Sequence, residues 1–376
     1  MSSKSLFDPV VSHAKLHPLF NEICDGDAHL AARAVMNQEH SHFVDKDKSF
    51  IREFQTAGFS PRVFELAIFA YLREAGFDLD HTRVAPDFLL RGDVPLGIEV
   101  TTTNPPQGSD GDDGEPESLA LVPPDLPEAD RVFVFQVAKA LRRKMQKKDA
   151  EGRHYWELPG MEDRSFVIAL GAFHDIHAQF HPFGLLADYL FGRTVTAIDG
   201  AFVSGTIENH SLGSKVIPSG LFATPEGRNL AGVLFSNAHT VAKFNRIGVE
   251  RGLANSNVAL CRVGTRFDWT EGAVDPAIFA YVVGDRPSEA LETYGEGLHF
   301  IANPWAKVRV DARLFPGVPA TYMTNSGVIS SSTQLAFNPY VSKTYTFTGE
   351  MASRMARYSQ LSFLGLLPPD NASSSS

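Results

Sequence analysis

The sequence predicts an α/β fold of the α+β kind, in which helices flank a mixed central sheet and a β-rich extension follows. Three observations predict it. Apolar residues recur at helical spacing between Pro61 and Gly76, short strand-like runs lie at 97–103 and 166–173, and alternating runs follow residue 176. The 376 residues are 43 % hydrophobic and 21 % charged, which excludes a disordered chain and allows a sizeable core.

Composition excludes several classes of protein. The two cysteines, Cys24 and Cys261, are too few for a disulfide framework or a thiolate metal site. The N-terminus has no continuous apolar run typical of a secretory signal, and no stretch reaches the roughly 18 apolar residues of a membrane span. We therefore expect a protein of the reducing cytoplasm with no membrane partner.

The first clear helix is predicted after residues 1–58, which show no sustained period. Ser60 suits the N-cap and Pro61 the first helical position, and the apolar pattern stops at Gly76. Short strands are predicted next, at 77–81, 88–90, 97–103 and 166–173. The last of these strands is apolar throughout, as expected of a strand buried on both faces.

Between the third and fourth strands the charge changes sign abruptly. The segment 104–130 holds eight acidic residues, six prolines and no Lys or Arg, so we expect an acidic loop there. The segment 131–153 holds eight Lys or Arg and predicts a helix. The apolar stripe of this helix comprises Val134, Ala138, Leu141 and Met145. The formal net charge of −10 thus conceals an acidic loop beside a basic helix.

The C-terminal region is expected to be β-rich. Alternation and turn spacing predict strands at 232–236, 240–248, 257–264 and 279–284. Residues 237–239 are expected to close a hairpin between the first two, and a helix is predicted at 183–192. The resulting organisation is an N-terminal segment 1–58, a core 59–175 with the acidic loop 104–130, a β-rich region 176–369 and a disordered tail 370–376.

Three acidic residues stand where their neighbours predict burial. Glu65 lies on the apolar face of the first helix, Asp87 begins the second strand, and Glu99 lies within the third. Ile98 and Val100 share the opposite strand face from Glu99. Buried carboxylates are costly without a cation, so one divalent ion near all three explains their placement, and oxygen ligands favour Mg²⁺ or Mn²⁺. For Glu65, a buried ion pair with an arginine is the alternative.

This order of elements and residues resembles the core of the PD-(D/E)XK nuclease superfamily. The matching residues are Glu65, Pro86-Asp87 and Glu99-Val100-Thr101, within roughly residues 60–173. The whole chain is also similar to bacterial proteins that combine this core with a β-rich C-terminal half, a similarity that implies no particular activity. The superfamily resemblance implies a metal-dependent nuclease that hydrolyses phosphodiester bonds in DNA. Defence against foreign DNA is one role that the resemblance suggests for such a nuclease.

The resemblance also implies residue roles. Asp87, Glu99 and the main-chain carbonyl of Val100 would bind Mg²⁺, and Glu65 would hold a second metal or a metal-bound water. The superfamily's lysine falls at position 101, where this sequence has Thr101. Threonine carries no positive charge with which to stabilise a phosphate in the transition state.

A cation from the basic helix is the expected replacement for that lysine. Lys139 is favoured as the catalytic cation, and Arg142, Arg143 and Lys144 are expected to bind substrate phosphates. If no cation fills the space, the fold serves instead as a catalytically inactive nucleic-acid-binding or protein-interaction module. A structural or assembly component is a third hypothesis, and a homodimer is left open.

Histidines follow the fourth strand in the spacing HDxHxxxH, from His174 to His181. A zinc site requires convergent ligands, whereas these residues stand where a strand becomes a loop. A polar loop at the edge of the active site is therefore favoured over zinc, with His174 in contact with substrate.

The neighbouring acidic loop and basic helix predict an internal competition for DNA. An acidic loop folded over the basic surface mimics nucleic acid and must be displaced by substrate. Deletion of residues 106–127 is therefore expected to tighten DNA binding at low salt, measured by titration of a labelled duplex. An unchanged affinity for DNA would show that the loop does not compete with DNA for the basic helix.

Overall fold

The structure is a computed structural model. It describes residues 5–103, 122–198, 201–268, 270–271, 273, 275–285, 291–333, 335 and 337–367. Residues 104–121 of the expected acidic loop, and the expected tail at 370–376, lie outside the described residues.

The helices of the described ranges are short except for α4 and α5. They are α1 (Pro18–Cys24), α2 (Leu30–His40), α3 (Phe50–Phe54), α4 (Phe59–Glu74), α5 (Leu126–Gln146), α6 (Phe183–Phe191), α7 (Val241–Glu250) and α8 (Ala352–Phe363). None of these helices combines the length and apolar character required to cross a bilayer.

Strands occur both before and after residue 176. They are β1 (Leu79–Asp80), β2 (Phe88–Leu90), β3 (Leu96–Thr102), β4 (Ser165–Gly171), β5 (Arg193–Ile198), β6 (Ala201–Thr206), β7 (Asn209–Leu212), β8 (Lys215–Pro218), β9 (Gly232–Ser236), β10 (Val258–Arg266), β11 (Ala277–Val282), β12 (Leu298–Ala302), β13 (Ala320–Met323), β14 (Ile329–Ser332) and β15 (Pro339–Thr348).

An eight-stranded mixed sheet forms the centre of the fold, in the order β1-β2-β3-β4-β9-β12-β13-β14. Strands β1, β2 and β3 are antiparallel, and β4 and β9 both run parallel to β3. Strand β12 is antiparallel to β9 and parallel to β13. The expected mixed sheet flanked by helices is therefore confirmed, and its strands come from both sides of residue 175.

Two hydrophobic cores cover the two faces of this sheet. On one face α4 packs Ile68 among residues that include Val100 of β3, together with apolar side chains from the N-terminal helices. On the other face α5 packs Leu141 among residues that include Ile168 of β4. The predicted stripe of α5, Val134, Ala138, Leu141 and Met145, is buried. Glu99 thus lies in a strand that is covered on both sides.

The smaller sheets lie in the C-terminal region. Strands β11, β10 and β15 form a three-stranded sheet, on which α8 packs through Ala352 and Ala356. Two further hairpins pair β5 with β6 and β7 with β8.

The predicted strand at 240–248 is wrong, because α7 occupies it. Residues 237–239 therefore connect β9 to a helix instead of closing a hairpin. Phe244 and Ile247, three positions apart, are buried in the main core, a spacing that belongs to a helix. Arg246, which a hairpin would leave exposed, is buried as well.

Two helices begin earlier than the sequence predicts. Helix α4 begins at Phe59, so Ser60 lies inside the first turn and not at the N-cap. Helix α5 begins at Leu126, and the Asp125 carboxylate accepts a hydrogen bond from the Glu128 N–H at 2.9 Å. The end of the predicted acidic loop is therefore the first turn of the basic helix.

A buried charge network joins α7 to the three-stranded sheet. Glu292 accepts from Lys243 Nζ at 2.9 Å and from Arg246 Nε at 2.7 Å. Arg262 of β10 binds the Glu296 carboxylate, and all five side chains are buried. Burial alone would raise the pKa of Glu292, but the three cations hold that pKa well below its usual range.

Removing the Glu292 charge is expected to destabilise the fold strongly. Glu292→Gln leaves Lys243 and Arg246 buried without a full countercharge, at a cost of about 3–5 kcal/mol in the free energy of unfolding measured with urea. The control is Arg357→Gln, which breaks an exposed pair with Asp285 and should cost about 0–1 kcal/mol. A loss for Glu292→Gln no larger than that of the control would contradict the prediction.

Candidate functional site

Asp87 and Glu99 stand side by side, just before β2 and in the middle of β3. The antiparallel register pairs Phe88 with Ile98, which brings the two carboxylates next to each other. The Asp87 N–H donates to Glu99 Oε2 at 3.3 Å, and the Val100 N–H donates to Asp87 Oδ2 at 2.7 Å. The strand pairing therefore fixes the position of both carboxylates.

Two cations of α5 reach the same part of β3. Glu99 and Thr101 pair with β4 residues that belong to the core under α5, so both side chains face that helix. Lys144 Nζ lies 2.5 Å from Glu99 Oε1. Arg143 Nη2 donates to Thr101 Oγ1 at 3.1 Å and to the Thr102 carbonyl at 3.2 Å. The residue that replaces the expected lysine is thus itself bound by a cation.

Glu65 is brought to the site by α4. It is 8 % exposed and forms an ion pair with Arg62, which lies three residues earlier on the same helix. Arg62 also binds Glu53 at 2.6 Å and donates to Ser49 Oγ at 3.1 Å. The arginine pair that the sequence left open for Glu65 is therefore present.

Burial and the neighbouring carboxylates disfavour the ionisation of Asp87 and Glu65. Burial raises the pKa of Asp87 well above its usual range, and the charges of Glu99 and Glu65 raise it further. Burial raises the pKa of Glu65 to about 6, although Arg62 opposes the rise. Burial and the adjacent Glu99 also raise the pKa of the Tyr155 phenol. A cation bound among these carboxylates would relieve the repulsion.

Lys139 and Arg142 lie away from the carboxylate pair. Lys139 is exposed on α5. It precedes Lys144 by five residues, which turns it about 140° around the helix axis from that residue. Arg142 lies beside the Tyr189 hydroxyl of α6. The geometry therefore favours Lys144 over Lys139 as the cation of the site.

His174 is buried at the ends of β3 and β4. Its Nδ1 lies 3.0 Å from Thr103 Oγ1, which also accepts the Phe173 N–H at 2.9 Å. Burial lowers the pKa of His174, which favours the neutral imidazole. At 2 % exposure, the side chain fixes the strand ends and has little surface open to a substrate.

Within the described residues, no three His, Cys, Asp or Glu side chains converge as a metal-binding cluster. In the HDxHxxxH segment, His181 Nδ1 lies 3.3 Å from Asp130 Oδ1 of α5. Asp87 and Glu99 nevertheless present oxygen ligands, and Mg²⁺ commonly takes one or two carboxylates with water and substrate phosphate completing its shell. The chemistry of this donor set fits Mg²⁺ or Mn²⁺.

Three residues of the site were not predicted from the sequence. Lys46, before α3, donates from Nζ to the Asp87 carbonyl at 2.8 Å. Arg62 is signalled only by its spacing of three from Glu65, which is common in ion pairs on helices. Tyr155 begins a short 3₁₀ helix, Tyr155–Glu157, between α5 and β4. Lys46 and Tyr155 are distant from the carboxylates in sequence, so no local pattern identifies them.

Comparison with known proteins gives no relative on which to base a role. No protein-family model matches the chain. No curated protein and no solved structure matches it either. The chemistry of the candidate site therefore rests on its own geometry.

The raised pKa of Glu65 predicts a specific pH dependence of stability. A folded pKa of about 6, above the unfolded value of about 4.3, means that the protein loses stability as the pH rises through this interval. Glu65→Gln should lack this loss, which amounts to about 2 kcal/mol between pH 4 and 6.5.

Urea unfolding at several pH values measures the effect. The matched control is Glu53→Gln, which removes the other carboxylate bound by Arg62 and should keep the wild-type slope. Parallel curves for the wild type and Glu65→Gln would show that Glu65 does not titrate as predicted.

Proposed function

We propose that the protein is a Mg²⁺- or Mn²⁺-dependent nuclease that hydrolyses phosphodiester bonds in DNA. The observation that carries the proposal is the contact of Lys144 with Glu99, next to Asp87. It supplies an ammonium group beside the carboxylate pair, although the strand position where the superfamily has lysine holds Thr101. Carboxylates with an adjacent cation are the groups that metal-assisted phosphodiester hydrolysis requires.

The order of elements also supports the resemblance to the PD-(D/E)XK superfamily. Helix α4 is followed by the antiparallel strands β1, β2 and β3, then by α5 and by β4, which is parallel to β3. This is the order that the resemblance implies, and it carries Glu65, Asp87 and Glu99 on α4, before β2 and on β3.

In the proposed mechanism, Asp87, Glu99 and the Val100 carbonyl would hold the metal beside the scissile phosphate. The bound metal supplies polarisation of the phosphate and acidification of a water. Glu65, whose pKa is raised to about 6, accepts a hydrogen bond from the attacking water and can take up its proton.

The cations of α5 act on the phosphate in this mechanism. Lys144 has three N–H donors, so it can keep Glu99 in place and donate to a phosphate oxygen where negative charge develops. Arg143 is held at the end of β3 by Thr101 and presents its remaining donors to a neighbouring phosphate.

A catalytically inactive nucleic-acid-binding module is the second candidate, and one observation favours it. One oxygen of each carboxylate already has a partner, because Asp87 Oδ2 accepts the Val100 N–H and Glu99 Oε1 accepts from Lys144. A site kept in this arrangement binds phosphate through Lys144 and Arg143 without hydrolysing it.

Plasmid cleavage with Mg²⁺ or Mn²⁺ separates the two candidates. The wild type should cleave, and Asp87→Asn and Glu99→Gln should not. Lys144→Met should lower the rate by at least about 100-fold, because it removes a donor to the charge that develops in the transition state.

Lys139→Met is the matched control, since it removes an exposed lysine from the same helix. It should cleave at close to the wild-type rate. Equal cleavage by the wild type, Asp87→Asn and Glu99→Gln would remove this site from consideration, and binding without any cleavage would favour the inactive module.

A further inference from the structure

Lys46 brings a second ammonium group to the candidate site from outside the α4–β4 core. It lies in the segment 41–49 between α2 and α3, and is half-buried. Its Nζ donates to the Asp87 carbonyl at 2.8 Å. The N-terminal segment therefore reaches the residue that begins the carboxylate pair.

The segment that carries Lys46 is anchored by an aromatic side chain. The Phe43 ring lies 4.6 Å from the Phe50 ring, 5.1 Å from the Phe69 ring of α4 and 6.5 Å from the Phe88 ring of β2, between centroids. Phe88 directly follows Asp87 in the chain. The same packing that fixes the start of β2 thus fixes the approach of Lys46.

Polar contacts hold the rest of the segment. The Asp45 carboxylate accepts the Phe50 N–H at 3.2 Å, and the Asp47 carboxylate accepts the Ser49 N–H at 3.0 Å. Ser49 Oγ in turn accepts from Arg62 Nη2 at 3.1 Å. The segment is therefore tied to the arginine that binds Glu65, and not only to the apolar core.

The electrostatic surroundings of Lys46 suit the binding of a phosphate. The Lys46 ammonium lies within electrostatic range of three carboxylates, those of Asp87, Glu65 and Glu99. The hydrogen bond to a neutral carbonyl uses one of three N–H donors and does not neutralise the ammonium. A substrate phosphate that approaches the carboxylates is repelled by them, so a cation at this place has a clear electrostatic role.

We propose that Lys46 is a substrate-binding residue that donates to a backbone phosphate of DNA at the Asp87–Glu99 site. The proposal rests on the proposed function for the class of substrate, but it does not require that hydrolysis occurs. Lys46 and Lys144 then contact the phosphate backbone from two different parts of the chain. The N-terminal segment is, on this view, a part of the active unit.

The test measures how the affinity for a labelled DNA duplex of about 20 base pairs depends on salt, between about 50 and 200 mM, with Ca²⁺ in place of Mg²⁺. Loss of one phosphate contact lowers the slope of log affinity against log salt by about 0.9, which is about an eightfold loss of affinity at 0.1 M salt. Lys46→Met should show both effects, and Lys46→Arg should restore the slope because it keeps the charge.

Lys48→Met is the matched control, because Lys48 is an exposed lysine two residues later in the same segment. It should keep the affinity and slope of the wild type. Thermal unfolding of each variant detects a purely structural role: a lower melting temperature for Lys46→Met with an unchanged salt slope would overturn the proposal.

Cleavage in Mg²⁺, measured on the same proteins, separates this proposal from the proposed function. DNA binding that depends on Lys46 without any cleavage supports the phosphate contact and contradicts hydrolysis. Cleavage and binding that are both unchanged in Lys46→Met overturn the phosphate contact and leave hydrolysis in place. A wild type that binds no DNA overturns both.

Discussion

Neutralising buried carboxylates is the constraint on which the arrangement around β3 depends. An ionised carboxylate in an apolar interior is costly, and Glu99 lies in a strand paired on both sides and covered on both faces. Helix α5 is rotated so that Lys144 and Arg143 face β3, where Lys144 binds Glu99. Helix α4 supplies the cation for Glu65, because it carries Arg62 three residues before it. The orientation of both helices is therefore tied to charge as well as to apolar burial.

The same logic recurs where α7 meets the three-stranded sheet. Three cations and two carboxylates are buried there, and Glu292 connects α7 to the segment that leads into β12. A buried network of this kind tolerates few alternative arrangements, because each lost partner leaves a desolvated charge. The network therefore fixes the orientation of the smaller sheet relative to α7. The apolar contact between α8 and the smaller sheet does not involve α7, so it cannot set that orientation.

Features that depend on residues close together in the sequence could be predicted from it. The periodicity of α4 and α5, the alternation along β3 and the three carboxylates of the site all follow from neighbouring residues. The remainder depends on contacts between distant residues. Arg246 is buried because its partner, Glu292, lies 46 positions away in the sequence. No local pattern shows this partner, so the charge of Arg246 wrongly indicated an exposed strand. The choice of Lys144 over Lys139 requires the rotation of a packed helix, and Lys46 reaches Asp87 across 41 positions.

The continuity of the large sheet has a consequence for the nascent chain. Strand β4 pairs with β3 on one side and with β9 on the other, and β9 follows about 60 residues later. At roughly 5–20 residues per second, translation supplies that second partner about 3–12 s after β4 is made. During this interval β4 is an apolar edge strand with unpaired N–H and C=O groups, a ready template for intermolecular pairing. The nascent chain therefore exposes an aggregation-prone strand edge that the finished sheet covers.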